Sequence, residues 1–267
     1  MRGIKRTGLD TVRNYLFDLD GCIWFGRRLA PGAAQLIGNL RECGLKAYFL
    51  TNISGAGSTK VAEKLNELGI DADPESVLAP LDVAARHPAL AGRSQAFVIG
   101  TNEVREVLAA AGILPVTHSE DIDIVLVGRD PELTYRQLAQ AAQILDRGGK
   151  LLALNLDLRV PSHDGGFVPG NGAIVAALTA ATGAKPEVIG KPSTFFFREA
   201  LKTFGVAPAE TAMVGDSIDS DIAGGVSVGL VTVLVGEGVG LEASGARPDV
   251  HVKDLLELRD LIAGGRK

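Results

Sequence analysis

Apolar residues occur along the chain in short continuous runs, separated by segments that are rich in glycine and polar residues. A run of about four to eight apolar residues without polar alternation is typical of a strand that a parallel sheet covers on both faces. On this basis the sequence predicts strands at 13–17, 45–50, 95–99, 123–127, 150–154, 186–190, 211–215 and 230–235.

Between several of these runs, apolar residues recur at spacings of three and four, which indicates amphipathic helices. The helical positions are Val61, Leu65 and Leu68, then Tyr135, Leu138, Ala142 and Leu145, and finally Phe197, Ala200, Leu201 and Phe204. Ser58 is the predicted N-cap of the first of these helices, and Gly69 is its predicted stop. The alternation of strands and helices predicts an α/β fold with a mainly parallel sheet.

The segment 81–184 repeats this alternation by itself. It begins after Pro80 and ends in the loop-like stretch 182–186, so a second α/β module inserted into the first explains both junctions. The predicted division is therefore a core domain at 1–80, an inserted domain at 81–184 and the second part of the core at 185–267. One long continuous sheet is the alternative that these elements leave open.

Composition narrows the classes of partner. The chain of 267 residues has a net charge of −5 without long runs of one sign, so neither nucleic acid nor an anionic membrane is expected to bind it. Residues 1–14 lack an apolar signal region, and no stretch approaches the length of apolar sequence that spans a membrane. Because the two cysteines make no disulfide framework, we expect a soluble cytoplasmic protein.

Two carboxylates follow the first predicted strand, in the sequence Asp18-Leu19-Asp20-Gly21. Side chains two residues apart on a strand point the same way, so these like charges repel unless a positive group lies near them. A bound divalent cation is the economical solution, and it makes one carboxylate a candidate nucleophile. An ordinary structural turn is the alternative for this short motif.

Polar groups also follow three later strands. They are Thr51 and Asn52 after 45–50, Lys191 after 186–190, and the acids Asp216, Asp219 and Asp221 after 211–215. Ligands of open parallel sheets bind outside the carboxyl ends of the strands, so the four segments together predict one site. Taken singly, each has a plainer interpretation: a turn or helix cap, a solvated loop cation, and acids that offset a helix dipole.

The residue types suit phosphoryl transfer, which needs an in-line nucleophile, neutralisation of charge and a proton for the leaving oxygen. Asp18 can attack phosphorus to form an aspartyl-phosphate, and Asp20 can protonate the leaving alkoxide and later take a proton from water. Asp18 and Asp216 are the predicted protein ligands of Mg²⁺, which prefers oxygen donors.

The predicted contacts to the phosphate come from the second and third segments. Thr51, Asn52 and the nearby backbone N–H groups are placed to cradle phosphate oxygens. Lys191 adds a positive charge that can restrain Asp18 and stabilise the transition state.

These segments resemble the four ordered motifs of the haloacid dehalogenase-like phosphatases, and the resemblance covers nearly the whole chain. The motifs are Phe17-Asp18-Leu19-Asp20-Gly21, Leu50-Thr51-Asn52, Gly190-Lys191-Pro192, and Val214-Gly215-Asp216 through Ser220-Asp221-Ile222. More narrowly, the chain is similar to the type IIA branch, which contains p-nitrophenyl, phosphoglycolate and pyridoxal phosphatases. Further stretches that resemble this branch are Pro31-Gly32-Ala33, Val127-Gly128-Arg129-Asp130 with Leu133-Thr134-Tyr135, Asn155-x-Asp157 and Pro169-Gly170-Asn171-Gly172.

The resemblance implies a Rossmann-like core with an α/β cap domain inserted between the second and third motifs, which agrees with the insertion at 81–184. It also implies that Asp18 is the nucleophile and Asp20 the acid–base group. Asp18, the main-chain carbonyl of Asp20 and Asp216 would hold Mg²⁺, with Asp221 supporting them from the outer shell. Dimerisation through the cap is a further implication of the resemblance.

Three positions depart from the family pattern. Ile53 stands where many relatives carry a second asparagine, Trp24-Phe25 is bulkier than the usual tyrosine and small residue, and Asn171 replaces a common small residue. None of them is one of the four catalytic positions.

Other motif-like residues carry less weight. The glycines of 236–240 suggest a dinucleotide-binding loop, but position 241 is leucine and the segment does not open a βαβ unit. The four histidines, His87, His118, His163 and His251, have no metal-ligand spacing. A last group could line the inner face of the cap or could equally be solvated loop residues: Arg129, Asn155, Asp157 and His163.

The sequence thus predicts a magnesium-dependent phosphatase that hydrolyses a small-molecule phosphate monoester through an aspartyl-phosphate. Candidate substrates are phosphoglycolate, glycerol phosphate, pyridoxal phosphate, nucleoside monophosphates and sugar phosphates. The alternatives are another reaction on the same core, such as phosphomutase transfer or dehalogenation, and a non-catalytic sensor of a phosphorylated metabolite. The motifs disfavour dehalogenation, because it needs neither the magnesium ligands nor the acid at position 20.

Overall fold

The computed structural model describes residues 8–117, 121–161, 166–239 and 245–265. Strands and helices alternate along these residues, and all eight predicted strands are present. In chain order, the strands are β1 (Asn14–Phe17), β2 (Trp24–Phe25), β3 (Arg28–Leu29), β4 (Lys46–Leu50), β5 (Val77–Leu78), β6 (Gln95–Ile99), β7 (Leu114–Val116), β8 (Ile124–Val127), β9 (Lys150–Ala153), β10 (Arg159–Pro161), β11 (Phe167–Pro169), β12 (Pro186–Val188), β13 (Thr211–Ser217), β14 (Val231–Val239) and β15 (Val250–Val252).

The three predicted helices are present as well, and further helices connect the other strands. The α-helices are α1 (Ala33–Glu42), α2 (Ser58–Glu67), α3 (Pro80–Val83), α4 (Asn102–Ala110), α5 (Tyr135–Asp146), α6 (Asn171–Thr182), α7 (Thr194–Phe204), α8 (Ala223–Ser227) and α9 (Leu255–Gly264). Short 3-10 helices lie at Leu9–Thr11, Pro74–Ser76, Ala84–Arg86, Pro88–Leu90 and Pro208–Glu210, and a π-helical turn lies at Ile218–Ile222. Within the described ranges, none of these helices has the length and apolar character that a membrane span requires.

The chain forms two compact units, which we call the first and the second unit. The first unit extends to Thr51, includes Val61–Leu78 and resumes at Lys191. Its sheet has six parallel strands in the order β15-β14-β13-β1-β4-β5. The strand order reverses at β1, because β4 and β5 lie on one side of it and the three late strands lie on the other. Such a switch point is where open α/β sheets bind their ligands.

Apolar burial fixes β1 at the centre of this sheet. The side chains of Tyr15, Leu16 and Phe17 are completely buried, as expected for a strand that helices cover on both faces. The Phe17 ring lies 6.2 Å from that of Tyr15 and 6.4 Å from that of Phe49 on β4, measured between centroids. Each such side chain contributes about 1.5–3 kcal/mol to stability by its burial. The residue that follows Phe17 therefore starts from a rigid strand end.

The second unit comprises Asn52–Lys60 and Ala79–Gly190. Its sheet has five parallel strands in the order β12-β9-β8-β6-β7, and a separate antiparallel pair is formed by β10 and β11. Phe97, Val125 and Leu151 belong to its buried core. The predicted α/β class with parallel sheets is confirmed, and the alternative of one long continuous sheet is wrong, because the strands form two separate sheets.

The strand predicted at 186–190 belongs to the second unit and not to the core segment 185–267. β12 pairs with β9, so the division between the units falls after Gly190. The glycine and proline of 182–186 indicated a domain boundary, but they mark the end of a helix and the start of a strand within the second unit. Gly183, in the left-handed conformation at φ 72°, ends α6, and Pro186 begins the edge strand β12. Residues 52–60 also belong to the second unit, although the predicted division placed them in the core.

Candidate active site

The carboxyl ends of three neighbouring strands bring predicted site residues to one edge of the first sheet. Phe17 of β1 is in register with Val214 of β13 and with Phe49 of β4. The next residue, Asp18, donates its backbone N–H to the carbonyl oxygen of Val214 at 2.8 Å. Asp216 lies at the end of β13 and Thr51 directly follows β4, so both reach the same edge as Asp18.

Lys191 is buried, with 3% of its surface exposed, and its ammonium bridges two carboxylates. The distance from its Nζ is 2.5 Å to Oδ1 of Asp18 and 2.7 Å to Oδ1 of Asp221. Burial alone lowers the pKa of the Lys191 ammonium, but the charges of Asp18 and Asp221 and its hydrogen bonds to both raise that pKa above the usual lysine value. The side chain is therefore a permanent cation, as predicted for a group that restrains Asp18.

Asp221 is brought back toward β13 by the π-helical turn Ile218–Ile222. Its side chain is fully buried, and Oδ2 accepts a hydrogen bond from the backbone N–H of Ser217 at 3.1 Å. Ser217 in turn accepts a hydrogen bond from the N–H of Ser220 through its hydroxyl oxygen. The two acids Asp216 and Asp221 thus converge from the two ends of one tight turn.

Asp18, Asp216 and Asp221 form the group of carboxylates in the described part of the chain that could hold a metal ion, with one oxygen of each within 4.8 Å of the others. With Lys191 they carry a net charge of minus two when all are ionised. Burial raises the pKa of Asp18, and burial followed by the charge of Asp221 raises the pKa of Asp216 to about 6. A divalent cation relieves this repulsion.

Oδ2 of Asp18 also indicates that a positive group binds at this site. It is buried, and no described residue donates a hydrogen bond to it. Since a buried acceptor without a partner costs about 1–3 kcal/mol, a ligand is expected at this atom. Mg²⁺ prefers oxygen donors and takes one or two carboxylates. Asp18, with its open oxygen, and Asp216 supply them, so the residues present fit the predicted ion.

Gly21, the glycine of the first motif, allows Asp216 to approach. Its φ angle is 92°, which side chains other than glycine rarely adopt, and a Cβ at this position would lie 2.2 Å from Oδ2 of Asp216. Two features therefore require glycine at this position: the backbone conformation, and the space that the Asp216 carboxylate fills.

The side chain of Asp20 has a different environment from the other carboxylates. Its side chain is exposed at the strand end, lies outside the group that could hold a metal ion, and accepts a hydrogen bond from the indole Nε1 of Trp24 at 2.7 Å. In the sequence, Trp24 is only a departure from the family pattern. Its spacing of four residues from Asp20 was the one available signal, and that spacing indicates a contact only once the turn is known.

Thr51 and Asn52 lie on either side of the boundary between the two units. Thr51 is buried in the first unit, where its backbone N–H donates to the carbonyl of Leu78. Asn52 belongs to the second unit, where its Nδ2 lies 3.4 Å from Oδ1 of Asp157 and its carbonyl accepts a hydrogen bond from Asn155. Their assignment as phosphate contacts stays a prediction.

Asn171 explains one of the departures from the family pattern. Its Nδ2 donates to the carbonyl oxygens of Val127 and Asn155, at 3.0 and 2.9 Å, and so joins the carboxyl ends of β8 and β9. Asn155 and Asp157 were predicted as candidates for the inner face of the cap, and the structure places both in this network with Asn52. Arg129 donates its backbone N–H to Ser54 in the same unit.

The histidines are dispersed. His87 is buried in the second unit and its Nδ1 accepts from the N–H of Ala89, while His251 is exposed and its Nε2 lies 2.7 Å from the carbonyl of Gly236. His118 and His163 lie outside the described residues.

Two family models match the chain, one described as haloacid dehalogenase-like hydrolase at residues 15–114 and one as HAD-hydrolase-like at 188–258. These segments include the strands that carry the carboxylates, Thr51 and Lys191. Over 250 residues the sequence is 36% identical to the acid sugar phosphatase of Staphylococcus epidermidis, an alignment that covers 90% of this chain and 94% of that protein.

Two solved structures are similar over nearly the whole chain. The 4-nitrophenylphosphatase of Thermotoga maritima has 32% sequence identity and a TM-score of 0.85, with 96% of this chain and 99% of that chain covered. The glycerol phosphate phosphatase of Mycobacterium tuberculosis, solved in complex with magnesium, has 33% identity and a TM-score of 0.84, with 94% and 78% covered.

The fold and the site define an α/β protein with a group of carboxylates at the switch point of a parallel sheet. The chain belongs to the haloacid dehalogenase-like hydrolase family. The predicted resemblance to the branch of the p-nitrophenyl phosphatases is confirmed, and so is the predicted enzyme class, because all three relatives are named as phosphatases.

Proposed function

We propose that the protein hydrolyses a small-molecule phosphate monoester through an aspartyl-phosphate on Asp18, with Mg²⁺ as its cofactor. The observation that carries the proposal is the group of three carboxylates, two buried and one half-buried, of which the two buried ones share the Lys191 ammonium. This group combines a nucleophile, a fixed positive charge and an excess of negative charge that suits a divalent ion.

Asp18 is held as a nucleophile needs to be held. Its backbone is fixed by the hydrogen bond to Val214, and Oδ1 is fixed by Lys191. A carboxylate oxygen of Asp18 forms a bond to phosphorus while the ester P–O bond breaks, and the electron pair of that bond leaves with the alcohol oxygen. Asp20 gives this oxygen a proton.

The second step restores the enzyme. Asp20, now ionised, takes a proton from a water molecule as the water oxygen bonds to phosphorus. The bond between phosphorus and the Asp18 oxygen breaks, and inorganic phosphate leaves. Lys191 keeps its charge throughout, so it can offset the negative charge of the phosphoryl oxygens in both transition states.

Asp18, Asp216 and the carbonyl of Asp20 would hold the magnesium ion, with Asp221 behind them as the partner of Lys191. When bound, the ion supplies positive charge against the oxygens of the transferred phosphoryl group. The magnesium complex of the similar glycerol phosphate phosphatase supports this choice of metal.

The relatives support a small alcohol or sugar as the leaving group, because they are named for sugar phosphate, glycerol phosphate and 4-nitrophenyl phosphate. We assign Thr51, Asn52 and Lys191 to the phosphate, and the second unit to the role of the cap domain that selects the leaving group. A homodimer and a cytoplasmic location remain predictions.

The experiment is a phosphate-release assay on a panel of alkyl, sugar and aryl phosphates with magnesium, comparing the wild type with Asp18→Asn. We expect the variant to lose at least about a thousandfold in kcat/KM, because an amide oxygen is a poor nucleophile. Acid quenching of a radiolabelled substrate should trap label on the wild type and none on the variant.

Asp73→Asn is the matched control, since Asp73 is an exposed acid of the same unit remote in sequence from the four motifs. It should retain the wild-type activity. Transfer of the label to a second phosphorylated metabolite without release of phosphate would instead identify a mutase. Binding of substrate by the wild type without turnover would identify a sensor.

A further inference from the structure

Trp24 is the one tryptophan of the sequence, and its side chain is completely buried at the start of β2. The indole has a single donor, the Nε1–H, and a buried indole normally places that donor on an acceptor. Here the acceptor is not a core carbonyl but Oδ1 of Asp20, whose residue is exposed at the site edge. The ring therefore lies in the core while its polar end faces the reacting groups.

The backbone holds the two partners at a fixed separation. The N–H of Trp24 donates to the carbonyl of Leu19 at 3.0 Å, and the carbonyl of Trp24 accepts from the N–H of Gly21 at 2.9 Å. Trp24 is thus held to both sides of Asp20, through its N–H to Leu19 and through its carbonyl to Gly21. The turn between Asp20 and Trp24 thus cannot lengthen or rotate without breaking backbone hydrogen bonds, and the side-chain bond at 2.7 Å is set by the fold.

A cation covers the ring. Nζ of Lys64, on α2, lies 3.8 Å from the centroid of the indole. Burial lowers the pKa of Lys64, whereas the charge of Asp20 raises it. A cation on the face of an indole is attracted by the ring's negative face, and it polarises the ring so that the N–H becomes a better donor to a carboxylate.

We propose that Trp24 is a positioning residue for the acid–base group Asp20, and that Lys64 supports it through the ring; this rests on the proposed function. The chemical reason is specific. An N–H donor on Oδ1 stabilises that oxygen as an acceptor and so favours Oδ2 as the oxygen that carries the proton of the neutral acid. The indole thereby decides which oxygen serves the reaction and keeps the carboxyl group from rotating.

Both steps of the reaction then use the same atom. In the first step, the Oδ2–H bond of Asp20 breaks and the proton goes to the leaving alkoxide oxygen. In the second step, Oδ2 takes the proton of the attacking water. Without the indole, the carboxyl group can rotate and place the proton on either oxygen, so a smaller fraction of encounters presents it to the leaving group.

The first test uses Trp24→Phe, which keeps an aromatic ring and removes the donor. Its readout is the ratio of kcat/KM for p-nitrophenyl phosphate to kcat/KM for glycerol phosphate, because kcat/KM reports the steps up to formation of the phospho-enzyme. The aryl oxide leaves without a proton, whereas the alkoxide needs one. We expect the ratio to rise by about tenfold or more, since general acid catalysis contributes about a hundredfold or more.

Phe25→Leu is the matched control, as Phe25 is the exposed neighbour on β2. Its ratio should equal that of the wild type. A role of Trp24 in packing alone would lower both values of kcat/KM by the same factor, and that result would overturn the proposal. Lys64→Met, which leaves the Trp24 ring in place, should raise the ratio in the same direction by a smaller factor, and Lys46→Met on the surface of the same unit should not.

The second test does not depend on turnover. Because Trp24 is the one tryptophan, a ¹⁵N-labelled sample gives a single indole N–H resonance. Asp20→Asn replaces a charged acceptor by a neutral one, so this resonance should move upfield and its proton should exchange faster with solvent. An unchanged resonance would refute the contact even in an active enzyme. Conversely, a shifted resonance in a protein that releases no phosphate would refute the proposed function and the catalytic role while confirming the contact.

Discussion

The two units differ in the polar groups that lie at the carboxyl ends of their parallel strands. Each has a parallel sheet whose strands end in polar residues, but the first unit places ionised groups there and the second places amides. Asp18 and Asp221 are buried and share the ammonium of Lys191, whereas Asn171 is buried and donates to two carbonyl oxygens. The first arrangement carries an excess of negative charge, whereas the second is neutral; each also contains one buried oxygen without a hydrogen-bond partner among the described residues, Oδ2 of Asp18 and Oδ1 of Asn171.

The difference between buried charge in the first unit and buried amides in the second indicates which unit carries the reaction. Buried charge that exceeds its compensation costs free energy, so a chain keeps it only where it is used. Buried amides that join strand ends stabilise a loop geometry at little electrostatic cost. We therefore assign the reaction to the first unit and the shaping of the loop around Asn155 to the second.

The largest expected effect comes from removing the central cation. Lys191→Met keeps the apolar stem but leaves two buried carboxylates without their partner, which should lower the free energy of unfolding by about 3–5 kcal/mol. The measurement is urea unfolding in the presence of a chelator. Lys202→Met, at an exposed lysine of the same unit, should change it by less than about 0.5 kcal/mol. A loss below about 1 kcal/mol for Lys191→Met would contradict the electrostatic account.

An intermediate effect is expected in the second unit. Asn171→Ala removes the donor that Val127 and Asn155 share. The carbonyl of Val127 keeps the N–H of Leu154, so the cost of about 1–3 kcal/mol comes from the carbonyl oxygen of Asn155. The magnesium concentration for half-maximal activity should not change, because the carboxylates of the first unit are untouched. Both quantities follow from urea unfolding and a magnesium titration.

Thr179→Val on the same helix is the control for this change. The Thr179 hydroxyl is buried and has no hydrogen-bond partner among the described residues, so its replacement should be neutral or slightly stabilising. If Asn171→Ala alters the magnesium requirement strongly, the assignment of separate roles to the two units is wrong.

The smallest effect concerns pH. Burial lowers the pKa of His87 below 6.5, a nearby Lys150 lowers it further and Glu187 opposes both. Nδ1 accepts the N–H of Ala89, which only the neutral ring can do. The unfolded chain therefore binds the proton more tightly, and this contribution to stability is present above pH 6.5 and is lost as the pH falls from 6.5 through the folded-state pKa.

The corresponding measurement compares unfolding free energies at about pH 7 and about pH 5 in the wild type and His87→Gln. The wild type should lose up to about 1.4 kcal/mol per pH unit more than the variant within that window. His251→Gln, at an exposed histidine of the first unit, is the control and should follow the wild type. Equal slopes for all three proteins would show that His87 is not the group responsible.

Much of the fold could be predicted from the sequence because continuous apolar runs mark most of the strands of the two sheets. Strands such as β1 and β8 are buried along their whole length, and their residues carry the signal themselves. β12 was assigned to the wrong sheet because an edge strand of three partly exposed residues does not reveal its neighbour. The two-residue strands β2, β3 and β5 are too short to have a period and were not predicted.

The site residues, too, include some that the sequence could predict and some that it could not. Asp18 and Asp216 could be proposed because parallel topology brings the ends of β1 and β13 together. The expectation that Lys191 follows a strand of the same sheet was wrong, because β12 belongs to the other sheet, and yet Lys191 contacts Asp18. The contact between Trp24 and Asp20 could not, since it depends on the rotamers of both side chains within a closed turn. The position of Asn52 was also beyond the sequence, because adjacent residues can belong to different compact units.

The bond between Lys191 and Asp18 joins residues that are 173 positions apart. During synthesis, Asp18 leaves the ribosome long before the lysine that neutralises it has been made, and β13 follows later still. Until then the Asp18 carboxylate stays in water, and the first sheet can be completed only when its late strands pair with β1, a non-local contact of the kind that makes folding slow. A chain that ends before residue 191 lacks three of the six strands of the first sheet and the partner of Asp18, so we expect no folded first unit from it.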